Sequence, residues 1–331
     1  MHNSFFLLAC VIVASVIFDF INGFHDTANA IATSVSTRVL SPKKAVAMAA
    51  VLNLAGAASG TAVAETVGAG LVDAGSVTQL TVLSALLAAI IWDLITWYYG
   101  LPTSSSHAVL SSLVGAAVAT SGTGVVIGAG VFKILIGLVV SPIVGLILGY
   151  FIMEFLSRYF CNHSPSSVNN IFTRCQILSA AYMAFSHGSN DAQKTMGIIT
   201  MALISFYHLP TFNVPLWVIL VCAVSMAMGT AVGGWRIIKT LGTKLAQLRP
   251  INGFAAETAA ATVIEVASRM GLPLSTTHVI TSSIMGVGAS KRLKSVRWIM
   301  GGNIIAAWII TIPACVTLAW FICRGLVFIA H

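Results

Sequence analysis

One motif occurs twice in this chain, first as Gly23-Phe24-His25-Asp26-Thr27-Ala28-Asn29 and, 165 positions later (191 minus 26), as Gly188-Ser189-Asn190-Asp191-Ala192-Gln193-Lys194. A second motif occurs as Leu101-Pro102-Thr103-Ser104-Ser105-Ser106-His107 and, 171 positions later (278 minus 107), as Leu272-Pro273-Leu274-Ser275-Thr276-Thr277-His278. Together, the two motifs place acids, hydroxyls and helix-breaking Gly or Pro inside apolar sequence in each half. Such a duplication is typical of secondary transporters, whose substrate site lies between two halves.

Composition identifies the class of protein. Hydrophobic residues make up 57% of the chain and charged residues 8%, and the mean hydropathy is +0.94. We therefore predict an all-α polytopic membrane protein. Apolar stretches of the ~20 residues needed to cross a bilayer occupy 5–23, 46–64, 80–99, 131–155, 216–235 and 298–321. The first residues carry no Lys or Arg, so we expect no cleavable signal peptide.

The net charge of +8 is compatible with a nucleic-acid partner. The basic residues, however, lie in short loops between apolar spans, where they fix membrane orientation, so no nucleic acid is expected. The six cysteines form no C-x-x-C pair, which indicates neither a disulfide framework nor a zinc site.

Loop charge predicts that the two copies face opposite sides of the membrane. Lys and Arg are present in 36–44, 236–249 and 291–297 and absent from the equivalent loops 203–215, 65–79 and 117–130. Because these residues mark the cytoplasmic side, the repeat is predicted to be inverted. Both termini are then outside, in a multi-pass protein of the plasma membrane.

The same pattern gives the predicted domain organisation. A first inverted repeat covers 1–157, a polar cytoplasmic linker covers 158–173, and a second inverted repeat covers 174–331. Discontinuous helices are expected in each repeat. The segments 92–117 and 263–288 each fit either two spans or one re-entrant hairpin, and loop charge does not separate these alternatives.

Asp26 and Asp191 are the first candidate site residues, because a carboxylate in the hydrocarbon region is costly and usually faces a cavity or a partner. Neighbouring Gly, Asn and Ser residues disfavour a helix interior, so we predict that the helix breaks there and exposes carbonyls for Na⁺ or a proton. The alternative is that each Asp is a simple N-cap. The predicted cation-coupling residues are Asn22, His25, Asp26, Asn29, Asn190, Asp191 and Glu257.

The hydroxyl runs after Pro102 and Pro273 are the candidate anion site. Proline is tolerated in the first turn of a helix, and a helix N-terminus binds oxyanions. The predicted oxyanion-binding residues are Thr103, Ser104, Ser105, Ser106, Ser275, Thr276, Thr277, Gln193 and Lys194. Alternatively, the hydroxyls bond neighbouring helix carbonyls. His107 and His278 fit either a proton relay or a structural role.

Charge balance indicates co-transport. Phosphate carries between one and two negative charges near neutral pH, and two ionised Asp residues beside it would be untenable in a low-dielectric site. Protons, Na⁺ or a divalent metal must therefore enter with the anion. No cofactor and no structural metal are expected.

At these residues the sequence resembles the inorganic phosphate transporter (PiT) family, over both motif pairs and the segments 233–240 and 249–254. The resemblance implies uptake of inorganic phosphate with H⁺ or Na⁺, or as a complex with a metal such as Mg²⁺. It implies that Asp26 and Asp191 are linked to the cation and that the hydroxyl turns hold phosphate. It also matches Glu257 to a functional glutamate, with Asn53 as its first-half mate.

Three other functions remain open. A sulfate or other oxyanion symporter would share the architecture, and a channel would share the apolar spans. An intramembrane hydrolase using Ser, His and Asp fits poorly, because catalysis needs one asymmetric set of groups, so we expect no enzyme. Expected partners are phosphate, a coupling cation and the bilayer, with a homodimer and a PhoU-like cytoplasmic regulator as further candidates.

Overall fold

The computed structural model describes residues 2–73 and 76–330. Ala74 and Gly75, in the predicted loop 65–79, lie outside the described residues, as do Met1 and His331. The described part consists of helices and their connections, with two isolated β-bridges. Its α-helices are α1 His2–Ser36, α2 Pro42–Ala57, α3 Ala62–Gly70, α4 Gln79–Tyr99, α5 Ser105–Ser121, α6 Gly128–Tyr159, α7 Pro165–Tyr207, α8 Leu216–Val232, α9 Trp235–Lys239, α10 Pro250–Arg269, α11 Thr276–Lys291 and α12 Trp298–Ala330.

The helices α1–α6 correspond in order to α7–α12, and the ends of matching helices share local geometry. Glycines in the left-handed conformation, Gly100 and Gly271, follow α4 and α10, each with φ of 66°. Short 3₁₀ turns, Thr123–Val125 and Leu293–Ser295, follow α5 and α11. Helices α6 and α12 each contain one proline, Pro142 and Pro313. The duplication predicted from the motifs therefore extends over the whole fold.

The lengths and compositions of the helices fit a membrane protein, as predicted. Four described helical segments are long and apolar enough to cross a bilayer: Phe5–Ser36, Gln79–Tyr99, Gly128–Tyr159 and Trp298–Ile329. Two bent pairs raise the number to six if each pair is one broken span, α2 with α3 at 66° and Leu216–Val232 with Trp235–Gly242 at 59°. These pairs are the discontinuous helices of the fold.

Helices α6 and α12 face outward. Large apolar side chains such as Phe151 and Phe155 on α6, and Ile309 and Phe321 on α12, are exposed. Helices α5 and α11 are mostly buried. Their 17 and 16 residues span about 25 Å at 1.5 Å per residue, less than the ~30 Å of hydrocarbon. The polar helix starts are therefore held inside the protein.

The predicted breaks at the two Asp motifs are wrong, because α1 and α7 continue through Asp26 and Asp191. Glycine is needed there for close helix crossing. A Cβ on Gly23 would lie 2.4 Å from the Met226 carbonyl oxygen of α8, and one on Gly188 would lie 2.2 Å from the Asn53 carbonyl oxygen of α2. Glycine is less favourable than alanine in a helix interior by about 1 kcal/mol. Packing between the helices offsets this cost, and the backbone stays helical.

The connection between the halves is shorter than the predicted linker 158–173. Helix α6 ends at Tyr159 and α7 begins at Pro165, so only residues 160–164 are non-helical. The N-cap residue Ser164 accepts a hydrogen bond from the Ser167 N–H at 3.3 Å, and Pro165 fits the first turn. Polar residues after 164 therefore extend α7 instead of forming a loop.

Candidate functional site

Asp26 and Asp191 lie together in the interior. Both are almost fully buried, at 3% and 1% exposed, on α1 and α7, which pack against each other. One ligand atom each from Asp26, His187 and Asp191 lies within 4.8 Å of the other two. The two acids singled out by the repeated motif therefore lie side by side, and their oxygens are close enough to hold one cation.

The hydroxyl turns open α5 and α11 with the same cap. Ser104 Oγ accepts a hydrogen bond from the His107 N–H at 3.1 Å, and Ser275 Oγ accepts one from the His278 N–H at 3.2 Å. These serines are the N-caps, so the helices begin three residues after the prolines. The sequence had predicted that they begin at the prolines. The first N–H groups of each helix have no partner within the helix and carry partial positive charge.

The hydroxyls at the first helical positions bind the acids. Ser105 Oγ donates to Asp26 Oδ2 at 3.4 Å, and its counterpart Thr276 Oγ1 donates to Asp191 Oδ2 at 2.7 Å. Thr277 Oγ1 also donates to Asp26 Oδ1, at 3.3 Å, which links the two halves. The predicted cation residues and the predicted anion residues thus form one site.

Lys194 is the buried cation of this site, with 1% of its surface exposed. Its ammonium donates to Asp191 Oδ1 and Ser106 Oγ, and to the Leu274 carbonyl oxygen at 2.8 Å. Asn29 holds the equivalent position in the first half, three residues after Asp26. The Asn29 amide donates to Thr277 Oγ1 at 2.9 Å and to Thr276 Oγ1 at 3.3 Å.

This difference makes the site asymmetric in charge although its geometry is duplicated. One half presents a neutral amide and the other an ammonium group to the opposite hydroxyl turn. With Asp26 and Asp191 ionised and the histidines neutral, the acids exceed Lys194 by one negative charge. A bound cation would offset this excess.

Each acid also has a histidine neighbour. His25 Nδ1 lies 2.7 Å from Asp26 Oδ1, while His25 Nε2 lies 3.1 Å from Thr96 Oγ1. His187 Nε2 lies 3.1 Å from Asp191 Oδ2, and His187 Nδ1 lies 3.1 Å from Asn53 Oδ1. Sequence reasoning missed His187. The available signal was its position four residues before Asp191, one helical turn away.

The remaining predicted residues of the Asp motifs and hydroxyl turns serve mainly the surrounding scaffold. The Asn190 amide donates to Ser268 Oγ at 2.8 Å, and the Gln193 side chain accepts from the Val63 N–H at 2.8 Å. Asn22 Oδ1 and Thr103 Oγ1 are buried without a hydrogen-bond partner in the described part of the chain. Asn22 lies at the position equivalent to His187, 165 residues earlier.

Glu257 lies in a separate polar cluster. Its carboxylate accepts from Thr33 Oγ1 of α1 and Ser179 Oγ of α7, and from Gln176 Nε2 at 3.2 Å. Thr33 is two turns after Asp26, which is about 10 Å along a helix. Glu257 itself lies on α10, and it bonds donors on the two helices that carry the central acids.

Asn53, which the resemblance matched to Glu257, lies on α2, whereas Glu257 lies on α10. The helix correspondence pairs α2 with α8 and α10 with α4, so these two residues are not structural equivalents. Asn53 instead contacts the central site through His187, and its amide donates to Thr230 Oγ1 at 2.8 Å. The implied pairing is not seen in the fold.

His107 and His278 stack on each other, with ring centroids 4.5 Å apart, and His278 also stacks on Trp308 at 3.7 Å. His107 Nδ1 and His278 Nε2 have no hydrogen-bond partner among the described residues. This packing favours the structural alternative over a proton relay.

Two further buried acids flank the central pair: Asp19, which the sequence left unassigned, and Asp93, which the sequence offered as a rival to Glu257. Asp19 Oδ1 accepts from Thr195 Oγ1 at 2.9 Å, while its Oδ2 has no partner in the described residues. Asp93 is fully buried on α4, the helix that supplies Thr96 to His25. The interior thus holds more carboxylates than the motif pair alone indicates.

Two matched sets of helices around a buried site of paired acids, hydroxyl turns and one lysine define a membrane transporter. The model of the phosphate transporter family matches residues 22–319, and the chain therefore belongs to that family. It is a family of transporters and not of enzymes.

Full-length relatives and a solved structure agree with this assignment. The chain is 47% identical over 322 residues to a "Probable low-affinity inorganic phosphate transporter" of Bacillus subtilis, covering 96% of this chain and 97% of the relative. It is 45% identical to a protein of the same description from Rhizobium meliloti, covering 94% of each. A solved structure described as "The sodium-dependent phosphate transporter" superposes with a TM-score of 0.88 and 25% identity, covering 98% of this chain and 99% of that one.

Proposed function

We propose that this protein imports inorganic phosphate across the plasma membrane by cation-coupled secondary transport. One observation carries the proposal: the paired acids and the paired hydroxyl turns form a single buried, hydrogen-bonded cluster. The names of the bacterial relatives, which specify inorganic phosphate, and of the sodium-dependent structural neighbour support it.

Phosphate would bind between the starts of α5 and α11. Two helix N-termini can surround a tetrahedral oxyanion without needing several buried cations. Ser105 and Ser106 on one side and Thr276 and Thr277 on the other supply hydroxyl donors. Lys194 supplies the single positive charge, and its contact with Ser106 places it at the edge of the same turn.

Competition for these donors explains how a cation could be coupled to phosphate. An ionised carboxylate only accepts hydrogen bonds, and Asp26 and Asp191 take the hydroxyls of Ser105, Thr276 and Thr277. Phosphate oxygens need the same donors. A cation held between the two carboxylates would satisfy their oxygens and release the hydroxyls, so cation binding would precede or accompany anion binding.

The coupling cation is proposed to be Na⁺ or H⁺, with Mg²⁺ complexed with phosphate as a further form of the cargo. Asp26, His187 and Asp191 have the spacing to share one cation. A cation also reduces the negative charge that two carboxylates and phosphate would place in a low-dielectric chamber. Asn22, His25, Asn29 and Asn190 complete the proposed cation side, and Glu257 acts from its separate cluster.

Alternating access would come from the two repeats. We propose that 1–157 and 174–331 tilt against each other around the fixed site, with the short linker and the basic loops in the cytoplasm and both termini outside. A homodimer and a PhoU-like cytoplasmic regulator remain proposals for its assembly and control.

Counterflow of radiolabelled phosphate in proteoliposomes tests the function. Uptake should saturate, should concentrate the label, and should depend on at least one of pH, Na⁺ and Mg²⁺ when each is varied alone. Sulfate should compete weakly and arsenate strongly. Uptake insensitive to all three cations would overturn the coupling, and preferred counterflow of sulfate would change the assigned substrate.

A further inference from the structure

A basic cavity lies apart from the transport site, where the start of α10 meets the end of α11. Its volume is about 590 Å³, which is within the range of ~300–1,000 Å³ typical of ligand pockets. Polar and basic side chains line much of it: Arg249, Asn252, Lys291, Lys294, Ser295 and Arg297.

The four basic side chains of the cavity have no acidic partner. In the part of the chain that the structure describes, ion pairs of lysine and arginine involve Arg158, Lys194 and Arg269 instead. The four residues are exposed, and their positive charges around one open cavity repel one another. A multiply charged anion in the cavity would relieve that repulsion.

Comparison with the first repeat shows that the fold does not require these charges. Arg249 is the N-cap of α10, and the equivalent N-cap of α4 is Thr78. Lys291 ends α11 where Ser121 ends α5. Lys294 and Arg297 occupy the positions of Gly124 and Ile127 around the matching 3₁₀ turns.

In the first repeat, neutral groups fill the equivalent region, where the start of α4 meets the end of α5. Thr81 Oγ1 lies 2.9 Å from Thr78 Oγ1 and donates to Thr120 Oγ1 at 3.1 Å, and Ser121 Oγ donates to the Ser76 carbonyl oxygen at 3.1 Å. The same helix ends and 3₁₀ turn therefore occur in both repeats, without basic residues in the first repeat and with four in the second. Membrane orientation needs basic residues in the loop but does not need them to converge on one cavity.

We propose that this cavity is a binding site for an anion carrying two or more phosphate groups. A single phosphate ion is small relative to the cavity and needs fewer cations, whereas paired phosphates match both the volume and the four charges. The predicted cytoplasmic position of the loop 291–297 and the exposed Trp298 beside it are compatible with two sources. One is the headgroup of an anionic lipid such as cardiolipin, and the other is a soluble polyphosphate.

The experiment has one arm for each source and uses the full chain. In detergent, calorimetry measures pyrophosphate binding in saturating inorganic phosphate, which occupies the transport site. In nanodiscs, native mass spectrometry counts cardiolipin retained against a phosphatidylcholine background. We expect Lys291→Gln with Lys294→Gln to weaken binding at least about tenfold, equivalent to 1.4 kcal/mol, in whichever arm shows binding.

The matched control is Lys43→Gln with Lys44→Gln, which removes the same charge from exposed lysines in the first turn of α2. This variant should bind as the wild type does, and both double variants should retain phosphate counterflow. Binding in either arm that the Lys291→Gln and Lys294→Gln variant weakens and the control does not supports the proposal and identifies the source. Absence of binding in both arms, unchanged binding in that variant, or equal weakening in the control would overturn it without affecting the transport function.

Discussion

Thr277 of the second repeat donates a hydrogen bond to Asp26 of the first, with 3.3 Å between Oγ1 and Oδ1. This bond joins the hydroxyl turn of one half to the acid of the other. Any movement that separates the halves must break or replace it. The proposed transport site is therefore also a contact between the two halves.

Replacing Asp26 tests the role of the central acids in coupling. Asp26→Asn keeps the size of the side chain but removes its charge, so the cation loses one of its two carboxylates. We expect concentrative phosphate uptake to be abolished while membrane insertion is retained. Proteoliposome uptake and detergent size-exclusion profiles measure the two properties, and normal concentrative uptake by the variant would refute the assigned role.

Asp191→Asn should have a second effect, because it leaves the buried Lys194 ammonium without its acid. Breaking a buried ion pair costs about 3–5 kcal/mol, so this variant should be less stable than Asp26→Asn. The double variant Asp191→Asn with Lys194→Met should recover thermal stability in detergent but not uptake. Equal melting temperatures for the two single variants would contradict the inferred pairing.

The hydroxyl turns are tested by Ser105→Ala and Thr276→Ala. Each removes one donor proposed to contact phosphate, and a hydrogen bond to a charged group contributes about 1.5–3 kcal/mol. We expect the half-saturating phosphate concentration to rise by roughly tenfold or more. The control is Ser111→Ala, since Ser111 Oγ bonds the His107 carbonyl oxygen of its own helix. Unchanged half-saturation in both test variants would place the anion elsewhere.

The glycine crossings are tested by Gly188→Ala. The added Cβ would lie 2.2 Å from a backbone carbonyl oxygen of α2, so the helices must separate, and strain of this kind costs about 1–3 kcal/mol. We expect a lower melting temperature and reduced uptake. Gly302→Ala on α12, where a Cβ meets nothing within 4 Å, should match the wild type. A melting temperature for Gly188→Ala equal to that of Gly302→Ala would refute the packing role of Gly188.

Glu257→Gln tests whether Glu257 acts separately from the proposed phosphate site. Its carboxylate contacts Thr33, Gln176 and Ser179 and none of the hydroxyl-turn residues. We expect a lower maximal uptake rate and altered cation dependence. The half-saturating phosphate concentration should stay within about twofold of wild type, a change that corresponds to less free energy than the ~1 kcal/mol of a typical hydrogen bond. A large loss of phosphate affinity would instead bring Glu257 into the anion site.

Sequence patterns predicted the features that depend on local chemistry. Repeated motifs and apolar lengths were enough to anticipate the duplication, and the prolines marked the approach to α5 and α11, although these helices begin three residues later, after the N-caps Ser104 and Ser275. The continuity of α1 and α7 was not predictable in this way, because the weak helix propensity of Gly23 and Gly188 is overridden by contacts with α8 and α2 that only the fold supplies.

The same limit applies within the site. The contact of His187 with Asp191 follows from their spacing of one turn on α7, whereas its contact with Asn53 arises from the packing of α7 on α2. Lys194 was expected near the anion or near Asp191, and its long side chain reaches both Asp191 and Ser106. The sequence indicated the chemistry of these groups, whereas their partners depend on helix packing.

Lys194 and Asn29 hold equivalent positions in the two repeats, and the difference between them has an energetic consequence. A carrier assembled from two identical copies would have inward-open and outward-open forms of equal free energy when empty. An ammonium in one copy and an amide in the other remove that degeneracy. We therefore expect the unloaded carrier to rest predominantly open toward one side of the membrane, and the direction of that bias to reverse if the two residues were exchanged.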